Sequence, residues 1–360
     1  MSLAKNNWDL EPPPIQSEAR PTVVSLKSPY LLFFGDVQDY GHAKTGLGLI
    51  QWRSELCVGQ LRLPECRVDA GLPDLDVAGA LSAGAQSMVI GVAPGGGAIP
   101  QSWVESLVLA ARAGLDIVSG MHARLSDFPE IVEAARKSGA RLIDVRTPPK
   151  NLPIGSGKKR SGKRLLTVGT DCAVGKKYAA LAIEKEMRAR GLNVDFRATG
   201  QTGIMIAGSG VPIDSVVSDF VSGAAEMLSP SAPDEHWDVI EGQGSLSHPS
   251  FAGVSLGLLH GSQPDALVLC HDPSRTILLG TEDAGGFELL SLSESIEQCL
   301  GLARRVNSNA RFVGVSLNTS GVEETKRAAL YERFARETGL PVADPIRDGV
   351  GSIVDFALSE

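Results

Sequence analysis

From residue 30 onward, short apolar runs alternate with stretches in which apolar residues recur at helical spacing. Such runs are typical of buried parallel strands, and the stretches between them are typical of crossover helices. In the first part of the chain the pattern predicts strands at 30–35 (YLLFFG), 88–92 (MVIGV), 116–119 (DIVS) and 141–145 (RLIDV), with helices at 101–113 and 128–138. The second helix is predicted to end at Gly139, because glycine tolerates the left-handed conformation of a helix C-terminus.

The same alternation resumes at residue 165. It predicts strands at 165–169 (LLTVG), 193–198, 238–241, 266–270 and 312–317, with helices at 176–190, 293–306 and 323–338. Between the two halves, residues 147–164 (TPPKNLPIGSGKKRSGKR) contain three prolines and six Lys or Arg residues, which is typical of a connecting segment. These basic residues either keep the linker solvated or help to hold an anionic ligand near the next motif.

A chain of 360 residues suits two domains. We therefore predict an α/β protein with an N-terminal extension (1–29), a Rossmann-like domain (30–146), a linker (147–164) and a P-loop NTPase-like domain with a doubly wound parallel sheet (165–360).

Charge and cysteine content narrow the classes of partner. Lys and Arg number 34 against 42 Asp and Glu, and the net charge of −8 argues against a nucleic-acid partner. The five cysteines include no C-x-x-C pair, so we expect no disulfide framework, no zinc site and a reducing, cytoplasmic location. No run of 18 apolar residues is present, so no membrane partner is expected. We expect a small-molecule substrate, no bound metal and a homo-oligomer.

The sharpest chemical signal is the segment 169–176 (GTDCAVGK), between an apolar strand and an amphipathic helix. Small residues let successive backbone N–H groups converge on a phosphate at a helix N-terminus, and a lysine reaches its outer oxygens. The segment departs from G-x-x-x-x-G-K-[ST] twice, because the first glycine comes one residue early and Lys177 stands where a Ser or Thr would ligate magnesium. The residues expected to bind the phosphate-bearing ligand are Gly169, Thr170, Asp171, Cys172, Ala173, Val174, Gly175, Lys176 and Lys177. A glycine-rich turn with a surface lysine is the structural alternative.

The longer loop, together with the later segment 239–244 (VIEGQG), resembles dethiobiotin synthetase and its relatives among P-loop proteins. Those proteins carry a V-E-G-A-G segment, which implies that the Glu241 carboxylate faces phosphate or metal. On its own, this glutamate is also compatible with a simple turn at a strand end.

Segments in both halves resemble a two-domain family catalogued as a domain of unknown function, the DUF1611 type. They are 91–97 (GVAPGGG), 114–122 (GLDIVSGMH), 144–146 (DVR), 167–176, 198–203 (ATGQTG), 219–220 (DF) and 241–245 (EGQGS). Some members are D-glutamate N-acetyltransferases that use acetyl-CoA and lack the usual acetyltransferase fold. The resemblance implies transfer of acetyl from acetyl-CoA to the amino group of D-glutamate or a similar acidic D-amino acid.

The chemistry of the loop fits this coenzyme. Coenzyme A carries a diphosphate, and aminolysis of its thioester needs neither ATP nor magnesium, so the missing Ser or Thr favours acetyl-CoA over Mg-ATP. Two alternatives stay open: an ATP- and magnesium-dependent ligase or kinase of the dethiobiotin synthetase type, and a non-catalytic nucleotide-binding sensor.

Acetyl transfer also needs a base for the amine and cations or amides for the substrate carboxylates. The candidate bases are Asp195, Asp219, Glu241 and His248, and the candidate substrate-binding residues are Arg197, Thr199, Gln201, Thr202, Gly96, Gly97 and Lys44. The glycines of the first domain precede a predicted helix, so they form either an anion-binding nest or a tight turn. Each polar residue alone is also compatible with a helix cap or a solvated surface position.

Overall fold

The computed structural model describes residues 24–92 and 97–359. Two parallel sheets, each with helices packed on it, account for most of this part of the chain. The prediction of an α/β protein with a Rossmann-like and a P-loop-like domain is confirmed. Among the helices of the described residues, none is both long and apolar enough to cross a bilayer.

The first sheet has five parallel strands in the order β3-β2-β4-β5-β6. Strands and helices of this half are β1 (Val24–Ser25), β2 (Tyr30–Gly35), α1 (Lys44–Arg53), β3 (Cys57–Arg62), α2 (Val77–Ser82), β4 (Ser87–Ile90), α3 (Gln101–Arg112), β5 (Asp116–Ser119), α4 (Pro129–Ser138) and β6 (Leu142–Asp144). α4 ends as predicted, with Gly139 in the left-handed conformation at φ +81°. α1 and β3 were not predicted from the sequence pattern.

The second sheet has six parallel strands in the order β13-β12-β11-β7-β10-β8. Its elements are β7 (Lys163–Gly169), α5 (Lys176–Ala189), β8 (Val194–Arg197), α6 (Gln201–Ala207), β9 (Ser209–Gly210), α7 (Val221–Leu228), β10 (Trp237–Ile240), α8 (Ala252–Ser262), β11 (Ala266–His271), α9 (Leu292–Ala303), β12 (Arg311–Leu317), α10 (Glu324–Thr338), β13 (Val342–Ala343) and α11 (Gly351–Leu358). β9 lies outside this sheet and pairs antiparallel with β1. The chain reverses its strand order at β7, and open α/β sheets bind ligands at the carboxyl ends of strands at such a point.

The linker is anchored at the opposite, amino end of β7. Lys159 forms an ion pair of 2.9 Å with Asp265, and Arg160 donates to the Ser229 and Gly261 carbonyls. The length of β7, about 20 Å for its seven residues, separates these groups from the loop that follows Gly169. The structure therefore places Lys159 and Arg160 away from that loop, where they do not help to hold an anion.

The two domains meet along α1 and α6. The Thr45 and Thr202 hydroxyls lie 3.4 Å apart, and the rings of Trp52 and Tyr178 lie 6.3 Å apart. Apolar side chains of α6 belong to the same buried cluster as the core of the first domain. The start of α6 therefore lies between the carboxyl edges of both sheets.

Candidate functional site

The loop after β7 has the geometry of an anion-binding turn. Gly175 stands before the first residue of α5 at φ +100°, and Ala173 adopts φ +52°, which is unusual for a residue with a side chain. Within the described chain, the backbone N–H groups of residues 173–177 donate to no protein acceptor. Unpaired N–H groups at a helix N-terminus, with the positive end of the helix dipole behind them, favour an anion.

Lys176 supplies a buried ammonium beside these amides. Its Nζ donates to the Asp171 carbonyl at 2.7 Å, and burial lowers the pKa of Lys176 while Cys270 and other neighbours oppose that shift. Gly242 packs against the same side chain, and a methyl group there would overlap the Thr167 carbonyl. The glycine after Glu241 therefore lets the two loops approach each other.

Arg275 fixes the conformation of the loop, and sequence reasoning missed it. One of its nitrogens donates to the Asp171 carboxylate at 2.9 Å and to the Cys172 carbonyl at 2.6 Å. The backbone N–H of Leu279 donates to the same carboxylate at 2.9 Å. Asp171 is wholly buried, and a buried charge needs a partner. Arg275, in the loop that follows β11, supplies it. The polar run 271–275 (HDPSR) directly after a predicted strand was the signal available in the sequence.

His271 holds the hydroxyl of Thr170. The Thr170 Oγ1 lies 3.0 Å from Nδ1 of His271, which is buried at the end of β11. Burial lowers the pKa of His271 to about 4. This histidine is therefore neutral at physiological pH and acts as a fixed hydrogen-bond partner of the loop.

Glu241 is buried next to the start of α6. Its Oε2 accepts the backbone N–H groups of Thr199 at 2.9 Å and Gly200 at 3.0 Å. Gly203 packs directly on the carboxylate. Burial raises the pKa of Glu241, whereas these hydrogen bonds and the charge of Lys177 oppose that effect. The structure therefore brings the candidate base Glu241 together with the segment 199–203.

Polar side chains of both domains line this boundary. Gln243 donates to the Thr199 hydroxyl at 2.9 Å. Gln201 accepts from Arg146, at the end of the first sheet, at 3.2 Å. The candidates Thr199, Gln201 and Thr202 thus lie together, whereas Lys44 is exposed at the start of α1.

Asp195 and Arg197 lie elsewhere on the second sheet. The Arg197 side chain turns back along the strands, donating to Asp238 at 2.6 Å and to Asp195 at 3.1 Å. In the register of the sheet, Asp238 lies opposite Arg164 of β7. Arg164 precedes Gly169 by five residues, which corresponds to about 16 Å along the strand, so Asp238 is far from the loop. The structure thus places both side chains in an ion-pair network away from the phosphate loop.

His248 lies beside the loop, whereas Asp219 does not contact it. Ligand atoms of Asp171, Cys172 and His248 lie within 4.8 Å of one another. Both ring nitrogens of His248 are engaged, because Nδ1 accepts the Ser250 N–H at 3.1 Å and Nε2 lies 3.0 Å from the Leu279 carbonyl. Asp219 is exposed in the short turn before α7, and the described residues give it no hydrogen bond to the loop.

The glycine-rich turn of the first domain is only partly described. Gly96 lies outside the described residues. Gly97 has φ +61°, and its carbonyl accepts the backbone N–H groups of His122 and Ala123, each at 3.0 Å. A side chain at this position would overlap the His122 ring. Close packing against His122 therefore explains the glycine at 97.

Taken together, these groups can hold an anion and accept a proton. The free amides and Lys176 suit a diphosphate, and Glu241 is a buried carboxylate on the boundary between domains. Burial raises the pKa of Glu241 above the usual value of a carboxyl group, a direction that favours proton acceptance.

Comparison with known proteins matches both domains. Residues 153–354 match the family described as "Domain of unknown function (DUF1611_C) P-loop domain", and residues 62–148 match "Domain of unknown function (DUF1611_N) Rossmann-like domain". A protein of Pseudoalteromonas sp named D-glutamate N-acetyltransferase is 49% identical over 92% of this chain and 99% of its own length. One of the same name from Tritonibacter scottomollicae is 48% identical over 92% of this chain and 98% of its length. A crystal structure of a DUF1611 family protein from Anabaena variabilis has a TM-score of 0.80 and 31% identity, covering 93% of this chain and 100% of that one.

Proposed function

The chain belongs to the DUF1611 family, and from this membership we propose that it transfers acetyl from acetyl-CoA to the amino group of D-glutamate or a similar acidic D-amino acid. The family resemblance stated from the motifs is thereby confirmed. Acyl transfer as the class of reaction follows from kinship at about half identity over nearly the whole length of two relatives of that name. The donor and the acceptor are the part that we propose.

The observation that carries the proposal is the loop at 173–177, where unpaired amides and Lys176 converge and no Ser or Thr follows the lysine. A diphosphate can be held by amides and an ammonium alone, whereas an ATP-hydrolysing loop depends on a metal ligand at that position. Coenzyme A offers such a diphosphate at a distance from its reactive sulfur. We propose that this loop anchors the coenzyme while the thioester reaches the boundary between the domains.

In the proposed reaction the amine nitrogen attacks the thioester carbonyl carbon, and the C–N bond forms as the C–S bond breaks. The ammonium of the substrate first loses one proton to a base, the attacking amine loses a second, and the leaving sulfur takes a proton to become the thiol. Glu241 suits the role of base better than the other candidates. Asp195 is paired with Arg197, both nitrogens of His248 are engaged, and Asp219 lies in an exposed turn.

Thiol release from acetyl-CoA, followed with and without D-glutamate, tests the proposal. We expect release that depends on the amino acid and is faster with D-glutamate than with L-glutamate. Glu241→Gln should lower kcat by about 10²–10⁴-fold with little change in affinity for the coenzyme, because only proton acceptance is lost. Phosphate release from Mg-ATP without acetyl transfer would contradict the proposal in favour of a ligase or kinase. Binding of acetyl-CoA without turnover on any acidic amino acid would favour a sensor.

A further inference from the structure

P-loop proteins commonly bind magnesium through the Ser or Thr that follows the loop lysine. Magnesium needs several oxygen ligands in nearly octahedral arrangement. The side-chain oxygens of this loop, those of Thr170 and Asp171, are already engaged. The Asp171 carboxylate accepts from Cys172, Arg275 and Leu279, and the Thr170 hydroxyl pairs with His271. Cys172 and His248, whose ligand atoms lie within 4.8 Å of Asp171, offer sulfur and nitrogen rather than oxygen, so the donor set of the loop does not fit magnesium.

The acidic residue opposite the loop does not supply the missing ligands. Oε2 of Glu241 accepts two backbone N–H groups, from Thr199 and Gly200. Burial raises its pKa, and among the opposing influences is the positive charge of Lys177. A magnesium ion at this place would thus find a single uncommitted carboxylate oxygen and a neighbouring ammonium that repels it.

Lys177 is the second residue of α5, at the position of the missing hydroxyl. Its Nζ lies 4.6 Å from the centre of the Tyr178 ring and 4.0 Å from the place that a side chain at Gly48 would occupy. Within residues 24–92 and 97–359, no hydrogen bond or ion pair of up to 4.0 Å engages this ammonium. Burial lowers the pKa of Lys177 and the Glu241 carboxylate opposes that shift without forming a direct ion pair, so a further anion would stabilise this partly buried charge.

We propose that the Lys177 ammonium is the resident cation of this phosphate site and stands in for the divalent cation of other P-loop proteins. A diphosphate is then held by the loop amides, Lys176 and Lys177, and its binding needs no metal. The inference rests on the proposed function for the identity of the ligand. It goes further by assigning a role to a residue that replaces a metal ligand.

Calorimetric titration with coenzyme A, in EDTA and in millimolar magnesium chloride, tests the inference. For the unmodified protein we expect equal affinity in both buffers. Lys177→Ala should bind about 10- to 100-fold more weakly in both, because one charge-assisted contact is lost. Lys177→Thr should be equally weak in EDTA and regain affinity in magnesium. Lys185→Ala, which removes an exposed charge from the same helix, is the matched control and should bind normally.

Each departure from this pattern overturns the inference. Affinity of the unmodified protein that rises more than about tenfold with magnesium would show that a metal is part of the site. Normal binding by Lys177→Ala, or a Lys177→Thr variant that stays weak in magnesium, would show that the ammonium does not replace a metal. The comparison of the unmodified protein in two buffers holds even if a variant fails to fold. If the unmodified protein binds no coenzyme A in either buffer, the proposed function is wrong, and this inference is wrong with it.

Discussion

Replacement of Gly203 by alanine should dislodge the buried carboxylate of Glu241. An added methyl carbon would lie 2.9 Å from Cδ of Glu241 and closer still to Oε2, so the carboxylate must move. The movement breaks its hydrogen bonds to the Thr199 and Gly200 amides, which are 2.9 and 3.0 Å long. The site would then contain a buried charge without its partners.

The magnitude follows from those two contacts. Hydrogen bonds to a charged group contribute about 1.5–3 kcal/mol each, so their loss costs about 3–6 kcal/mol. Alanine stabilises a helix relative to glycine by up to about 1 kcal/mol, which offsets part of this cost. We expect the free energy of unfolding to fall by about 2–5 kcal/mol in Gly203→Ala.

Urea unfolding followed by circular dichroism measures this change. Gly253→Ala is the matched control, because Gly253 is a helical glycine of α8 and a methyl group there meets nothing within 4 Å. The control should be unchanged or slightly more stable. If the two variants unfold at the same urea concentration, the account of how Glu241 is held is wrong.

Three further substitutions test the surroundings of the loop. Arg275→Met should lower the free energy of unfolding by about 1.5–3 kcal/mol, because the Asp171 carboxylate loses its ionic partner; an unchanged urea midpoint would contradict this. Lys176→Met should weaken coenzyme A binding by about 10- to 100-fold in calorimetry, and equal affinity would show that the loop holds no phosphate. Burial lowers the pKa of His271 from 6.5 to about 4. Between these two pH values the unfolded chain binds a proton that the folded chain does not, so the free energy of unfolding decreases as the pH falls through this range. His271→Gln should therefore lose less stability between pH 7 and pH 5 than the unmodified protein does, whereas a variant with the exposed His42 replaced should not show this smaller loss. An equal loss in the His271 and His42 variants would contradict the lowered pKa of His271.

The alternation of apolar runs and helical stretches was enough to predict every strand of the two sheets except the edge strands β3 and β13, because a buried parallel strand is a run of consecutive apolar residues. α1 (Lys44–Arg53) was missed because Gly46 and Gly48 give its sequence, KTGLGLIQWR, weak helical character. Its glycines allow close packing instead, since a side chain at Gly46 would overlap the Phe34 ring and Gly48 faces Thr202. That helix packs on β2 of its own domain and on α6 of the other, and a local pattern contains neither contact.

The phosphate loop could be predicted for the same reason that the sheets could, since its residues are contiguous. Arg275 could not be placed, because its partner Asp171 lies about a hundred residues earlier and the two meet only when β11 pairs with β7. Arg197 was expected at the substrate because it ends a strand beside small residues. Its side chain instead pairs with Asp238 of the neighbouring strand, a contact set by sheet register.

A crystal structure of the protein with coenzyme A tests the central claim most directly. We predict that the diphosphate oxygens lie about 3 Å from backbone nitrogens of residues 173–177 and from the Lys176 ammonium, with no metal ion between them. A diphosphate bound at another place, with no phosphate oxygen near these amides, would contradict the account.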